Sequence, residues 1–213
     1  MRERRPRVGE LTQIDGSPHA WFEERGARCC LLLANDDATS TILAARFEPV
    51  ETTDGYFELL RQYFAAHGRP AAIYSDRHSI FRHSKGSKVN NETQMQRALM
   101  ELDVTLLCAN SPQAKGRIER AYRTLQDRLL KELRLHNICN IEQANAFLPA
   151  FIADYNRRFA KPPAEPGDVH RSCAQIDLRT VLVRRYTRKL TKDLTFQIGD
   201  VIYAIDPDPT HRF

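Results

Sequence analysis

Along residues 1–160 the hydrophobic period changes in a set order, and that order limits the possible folds more than any single motif does. Three runs of strand length come first. Val8 to Asp15 (VGELTQID) alternates, Arg28 to Asn35 (RCCLLLAN) is short and apolar, and Thr41 to Glu48 (TILAARFE) follows the turn formers Asn35, Asp36 and Asp37. Those turn residues make the second and third runs an antiparallel hairpin, and turn chemistry accounts for the two acids. The period then shifts to 3.6 from Thr53 to His67, with Tyr56, Phe57, Leu59, Leu60, Tyr63 and Phe64 on one face and Gly68 and Pro70 as stops. A buried strand Ala71 to Ser75 follows, then a polar loop from Arg77 to Asn91, a helix at Glu92 to Leu102 and a strand Val104 to Cys108. Helices at Gly116 to Leu135 and Ile141 to Phe159 complete the series. The order βββαβαβ with two closing helices predicts an α/β sandwich around a mixed sheet.

Beyond that point the pattern changes. Lys161 to Gly167 (KPPAEPG) holds three prolines and is expected to begin a linker over 161–178. From 179 to 213 only short strands are expected, Thr180 to Tyr186, Leu194 to Ile198 and Val201 to Ile205, the last two joined by Gly199-Asp200 as a hairpin. The expectation is the start of a small, incomplete β-barrel. Residues 1–8 form a basic lead and 9–160 the main domain.

Charge and cysteine usage narrow the function classes. The 213 residues carry 32 basic and 27 acidic side chains, a net +5, and the excess is localised. Ser111 to Leu135 holds seven basic residues against three acids, and Arg179 to Lys192 six against none. Such segments suit a polyanionic partner. The five cysteines form no C-x-x-C pair and no zinc spacing with histidine, which fits reduced structural thiols. No apolar run is long enough for a membrane span and the N-terminus lacks a leader pattern, so a cytoplasmic protein is expected, with no membrane partner.

Three carboxylates occupy positions that carry chemistry. Asp15 ends the first predicted strand, Asp76 follows the fourth, and Glu119 sits in the first turn of a long helix. Acids are disfavoured at the ends of apolar strands unless they serve a turn or a ligand, and clustered carboxylates in a cleft are relieved by hard divalent cations.

The segments QIDGSPHAW, IYSDRHSIF and NSPQAKGRIERAYRTLQDRL resemble the catalytic core of DDE transposases and retroviral-type integrases, specifically bacterial insertion-sequence transposases. The resemblance covers about Gly9 to Phe159. It implies a ribonuclease-H-like core, a mixed five-stranded sheet flanked by helices, followed by the start of a small DNA-binding β domain. It implies that Asp15, Asp76 and Glu119 are the catalytic, metal-binding triad, with Asn110, Ser111, Pro112, Gln113 and Gly116 as the loop ahead of the Glu. Two Mg²⁺ ions, replaceable by Mn²⁺, would be held there. The implied activity is metal-dependent 3′-end cleavage and strand transfer of an insertion element, with DNA as partner and a dimer or higher multimer on it.

This chain departs from the family in two places. Residues 77 to 118 number 42, more than the family's usual spacing, and SDRHSIF stands where many relatives have Asp-Asn-Gly. The surplus falls in the basic loop Arg82 to Asn91.

Lys115, Arg117, Arg120 and Arg123 on the Glu119 segment, and Arg77, Arg82, Lys85 and Lys88 around Asp76, are expected to contact phosphates. Arg184, Arg185, Arg188 and Lys189 in the second basic segment carry the same expectation. His78, His19 and Asn110 could support the triad from outside it. Tyr155 and Asn156 are assigned to packing and a helix cap. No helix-turn-helix precedes Asp15, although relatives carry one, so the chain is expected to be part of a longer protein. Two other classes share these features: a catalytically silent DNA-binding derivative, distinguished by loss of divalent-ion binding, and a nuclease of the same fold, which would nick DNA without joining it.

Overall fold

The computed structural model describes residues 3–76, 79–81, 92–108 and 116–206. The chain divides into a unit reaching to Val183 and a smaller one beginning at Arg184.

The larger unit is built on a five-stranded sheet of order β3-β2-β1-β4-β5. The strands are β1 (Thr12–His19), β2 (Cys29–Asp36), β3 (Ile42–Glu48), β4 (Ala72–Ser75) and β5 (Thr105–Cys108). β1, β2 and β3 pair antiparallel, whereas β1 with β4 and β4 with β5 pair parallel, so the sheet is mixed as expected. Helices α1 (Thr53–His67) and α2 (Gln94–Glu101) cover one face. Helices α3 (Gly116–Leu135) and α4 (Ile141–Phe159) cover the other.

β2 explains why the sheet has two covered faces. All eight of its residues are buried, and alternation sends Cys30, Leu32 and Ala34 to the α1 side and Cys29, Leu31 and Leu33 to the α3 side. A strand without a polar face can sit only between two layers. The helices obey local signals: Thr52 caps α1, Thr93 and Gln96 form a reciprocal capping box on α2, and Asn140 caps α4.

Two strand predictions are corrected. β1 begins at Thr12, four residues later than the alternation implies, and runs to His19. Gly9 adopts φ +78°, and Val8 bridges to Asp168 instead of entering the sheet. At its far end Pro18 is tolerated because parallel pairing with β4 involves only Thr12 and Gln13, leaving that side of the strand without a ladder to break. The predicted strand Thr180 to Tyr186 is instead a short helix α5 (Leu178–Val181), capped by Asp177, followed by irregular chain. Its carbonyls find side chains where a strand would find a neighbour: Arg61 donates to the carbonyl of Leu182, and Arg97 to those of Val181 and Val183.

Residues 161–178, expected to link the two parts, lie along the larger unit. Lys161 N donates to the Thr39 carbonyl, Glu165 N to Pro6 and Val169 N to Val8, and Arg171 bridges to Arg69. His170 sits between Tyr63 Oη and Asp168 Oδ1, at 2.5 Å from each.

The smaller unit contains an antiparallel hairpin, β6 (Thr195–Ile198) and β7 (Val201–Ala204), turning at Gly199-Asp200 with Gly199 at φ +59°. Phe196 and Tyr203 stack across it, centroids 5.3 Å apart. Tyr186, Leu190, Ile202 and Tyr203 are exposed, and Arg188 lies over the Tyr186 ring at 5.4 Å. Among the described residues no helix is long and apolar enough to cross a membrane.

Candidate active site

The parallel pairing of β1 with β4 sets the register in which the first two acids follow their strands. Thr12 stands opposite Ile73 and Gln13 opposite Tyr74. Extending that register two residues brings Asp15 level with Asp76, at the carboxyl ends of adjacent parallel strands, where open α/β sheets place their sites. Asp15 is therefore within β1 with respect to β2, opposite Leu33, yet at the end of the strand with respect to β4. Both acids are half-buried.

The side chain of Asp15 emerges on the α3 face. Its strand neighbours at two residues either way show this: Gln13 joins Asp37 and Arg117, and Ser17 Oγ accepts from Gln126 on α3 at 3.3 Å. On β4, Ile73 belongs to the α1-side core, so alternation puts Asp76 on the α3 side.

Helix α3 brings the third acid to the same end. Glu119, Tyr122 and Gln126 occupy one stripe of the helix. Tyr122 Oη donates to the carbonyl of Asp15 at 2.5 Å and of Leu31 at 3.1 Å, and Gln126 reaches Ser17. The stripe that carries Glu119 is thus the one lying along the second half of β1, and Glu119 itself remains exposed. Burial, and next the Asp15 carboxylate, raise the Tyr122 phenol well above its usual range, so it stays a donor.

Among the described residues no three His, Cys, Asp or Glu side chains stand close enough together to hold a metal ion on their own. The donor set is nonetheless of one chemical kind, three carboxylates without histidine or thiolate. Mg²⁺ or Mn²⁺ fits such a set, since Mg²⁺ binds through one or two carboxylates and completes its shell with water and phosphate oxygens.

One expected phosphate contact is corrected. Arg117 is buried, its side chain 6% exposed, and its Nη1 lies 2.6 Å from Oδ1 of the wholly buried Asp37. A guanidinium held in a buried ion pair is not offered to DNA. Asp37 likewise is more than a turn residue: it also accepts from Gln13 Nε2 and from Arg5 N. Asp36 does serve the turn, accepting from Thr39 N and Oγ1. Nothing in the linear pattern joins Arg117 to Asp37, which lie 80 residues apart.

Arg120 and Arg123 are exposed on α3, and Arg184, Arg185, Arg188 and Lys189 are exposed in the smaller unit. His19 packs edge-on against Trp21, at 5.4 Å between centroids. It is four residues, about 13 Å of strand, beyond Asp15, so it is not brought to the acids. Arg77, His78, Arg82, Lys85, Lys88, Asn110 and Lys115 lie outside the described residues. A fourth carboxylate, Glu51, is singled out by no sequence pattern. It accepts from Tyr56 Oη at 2.7 Å, fills the space beside Gly16, and together with Asp15 raises the Cys30 thiol, for which burial is the main cause.

A mixed sheet of this order with helices on both faces is the ribonuclease-H-like fold. It is shared with a chain of the simian T-cell lymphotropic virus intasome in complex with PP2A regulatory subunit B56 gamma (TM-score 0.58, 16% identity, 80% of this chain and 60% of that one). The trimeric form of the HTLV-2 integrase catalytic core domain in complex with magnesium also shares it (TM-score 0.50, 16% identity, 66% and 82%). In fold the chain is similar to retroviral integrase catalytic cores, and in sequence it is similar to transposases. It is 52% identical over 199 residues to "Putative transposase y4bF" of Sinorhizobium fredii, covering 92% of this chain and 44% of that protein. It is 40% identical over 162 residues to the transposase for insertion sequence IS1202 of Streptococcus pneumoniae, covering 74% and 34%. The chain therefore spans less than half the length of these curated relatives. No protein-family model matches it.

Proposed function

We propose that this chain is the catalytic part of a DNA transposase, cutting and joining DNA strands with Asp15, Asp76 and Glu119 as its metal-binding acids. The observation that supports this is the meeting of three elements at one sheet end: β1 and β4 pair in parallel register just ahead of Asp15 and Asp76, and α3 is bonded to β1 at Asp15 through Tyr122. Asp15, Asp76 and Glu119 would together hold the divalent metal. Mg²⁺ bound there supplies activation of the attacking oxygen and stabilisation of the leaving one.

The chemistry is in-line phosphoryl transfer. In the first step a water oxygen attacks a phosphorus at the element end, the P–O3′ bond breaks, and a 3′ hydroxyl is released. In the second step that hydroxyl loses its proton to solvent and attacks a phosphorus of target DNA, whose own 3′ oxygen leaves. The acids hold and orient; no bond forms to the protein. Arg120 and Arg123 beside Glu119, and Arg184, Arg185, Arg188 and Lys189 in the smaller unit, neutralise phosphates without reading sequence. Joining two ends needs two sites, so the protein acts as a dimer or larger assembly on DNA.

The test is strand transfer, and its reversal on a branched DNA mimicking the joined product, in Mg²⁺ with wild type beside Glu119→Gln. Loss of both reactions in the variant and in EDTA is expected. Activity unaffected by Glu119→Gln would refute the triad. Nicks without joined strands would make the protein a nuclease, and DNA binding without either reaction a silent derivative.

A further inference from the structure

We infer that Arg117, Asp37 and Tyr122 are positioning residues that set Glu119 in register with Asp15, and so govern how tightly the carboxylate triad binds its metal. The inference rests on the metal-binding reading of that triad and adds to it the device that assembles it.

Two of the acids share a sheet, whose hydrogen bonds hold them together. Glu119 arrives on a helix, and a helix packed on a sheet by apolar contacts alone can slide or rotate. Side chains on both sides of Glu119 prevent this. Two residues before it, Arg117 leaves the first turn of α3 and meets Asp37 at 2.6 Å. Asp37 lies just past the end of β2, and its Oδ1 also accepts from Gln13 Nε2 at 2.8 Å, so the pair is tied to β1 two residues before Asp15. Three residues after Glu119, Tyr122 bonds to the Asp15 carbonyl itself.

The helix is therefore fixed to β1 at two points that bracket Glu119, and those points bracket or include Asp15. Both fixings are polar, the ion pair buried and the Tyr122 bond partly so, which makes them directional: an ion pair of this kind has one good geometry and is costly to leave half-made. Supporting groups of this sort typically alter metal affinity by about 10–100-fold when removed. The segment containing Arg117 is rich in basic residues, but the partner of Arg117 is an internal acid. Its contribution to DNA binding is thus indirect, through the triad.

The experiment uses the full chain and two readouts: Mn²⁺ affinity, from electron paramagnetic resonance of the free ion, and the salt dependence of affinity for a short DNA duplex. Arg117→Met and Asp37→Asn are expected to weaken Mn²⁺ binding about tenfold, and Tyr122→Phe about threefold or more. The slope of log affinity against log salt should be unchanged in all three. Arg117→Lys should return Mn²⁺ affinity to within about threefold of wild type by restoring the cation.

Asn156→Ala, which removes two hydrogen bonds to the Ile42 backbone of β3 and none to Arg117, Asp37 or Tyr122, is the control and should bind Mn²⁺ normally. If Arg117→Met lowers the salt slope by about 0.9 with Mn²⁺ affinity intact, Arg117 is a phosphate contact and the inference fails. If Arg117→Met and Asp37→Asn do not fold, Tyr122→Phe, which keeps its ring, decides alone. Glu119→Gln separates the two layers. Normal Mn²⁺ binding by Glu119→Gln overturns the metal site itself. Loss of binding in Glu119→Gln with wild-type binding in the three positioning variants overturns only the positioning role.

Discussion

Cys29 and Cys30 are consecutive residues on a strand buried on both faces, and burial alone, or burial assisted by Glu51 and Asp15, pushes their thiols up to about 11 and about 12. The unfolded chain releases those protons near the ordinary value of 9.0, so above that pH the unfolded state binds fewer protons than the folded one. Stability from the two thiols is thus complete below pH 9.0 and declines as pH rises toward their folded values. The buried phenols of Tyr56, Tyr63 and Tyr122, all raised by burial, add to the decline above pH 10. A urea midpoint that is flat from neutrality to about pH 8.5 and falls beyond pH 9 is expected, and a flat profile to pH 11 would contradict it. Under native conditions a thiol reagent should label the exposed Cys139 first and leave Cys29 and Cys30 untouched until urea unfolds the chain. Among single residues, Asp15 and Asp76 stand out in the sequence as acids at the ends of apolar strands, and the structure has Asp76 just past β4 and Asp15 past the last residue of β1 paired with β4. Arg117 does not stand out, since its basic neighbours mark a surface and its partner is distant in sequence.

The edge strand β3 shows how one element protects another. Asn145 and Asn156 on α4 each pair with the strand's backbone as a neighbouring strand would. The amide of Asn145 accepts from Phe47 N and donates to Phe47 O, and that of Asn156 does the same with Ile42. The spacing matches: eleven residues of helix rise about 16 Å, and five residues of strand span about 17 Å. A bulge at Leu43, where Ala34 pairs with Ala44 but Asn35 with Ile42, directs the Ile42 backbone outward. Replacing either asparagine by alanine removes two hydrogen bonds and is expected to cost about 1–3 kcal/mol by urea unfolding. The double variant should also aggregate through the uncovered edge, while an unchanged midpoint would refute the clamp. The linear pattern assigns Asn156 to a cap, because a helix-facing amide looks the same in sequence whether it bonds its own helix or a strand. Helices α1, α3 and α4 are legible to the residue, as a one-sided apolar period needs no partner to be recognised. β1 and the segment after Asp177 are not, since Gly9, the 161–178 strap and two arginine side chains decide where those backbones pair.

At the scale of the molecule, the net charge of +5 understates the local cationic surface, because exposed arginines and lysines gather on α3 and beyond Val183. Replacing Arg184, Arg185, Arg188 and Lys189 by alanine should reduce the salt slope of DNA binding by up to about 0.9 for each phosphate that is no longer neutralised. Mn²⁺ affinity should stay unchanged, and an unaltered slope would remove the smaller unit from the DNA interface. The central claim is that the sheet's parallel centre and α3 together build a divalent-metal site. It is tested most directly by titrating Mn²⁺ into the full chain and into Asp15→Asn, reading free ion by electron paramagnetic resonance, with Mg²⁺ as competitor. The wild type is expected to take up at least one ion that Mg²⁺ displaces, and Asp15→Asn to bind about tenfold or more weakly while remaining folded. Equal uptake by both proteins, or none by the wild type, would contradict the assignment.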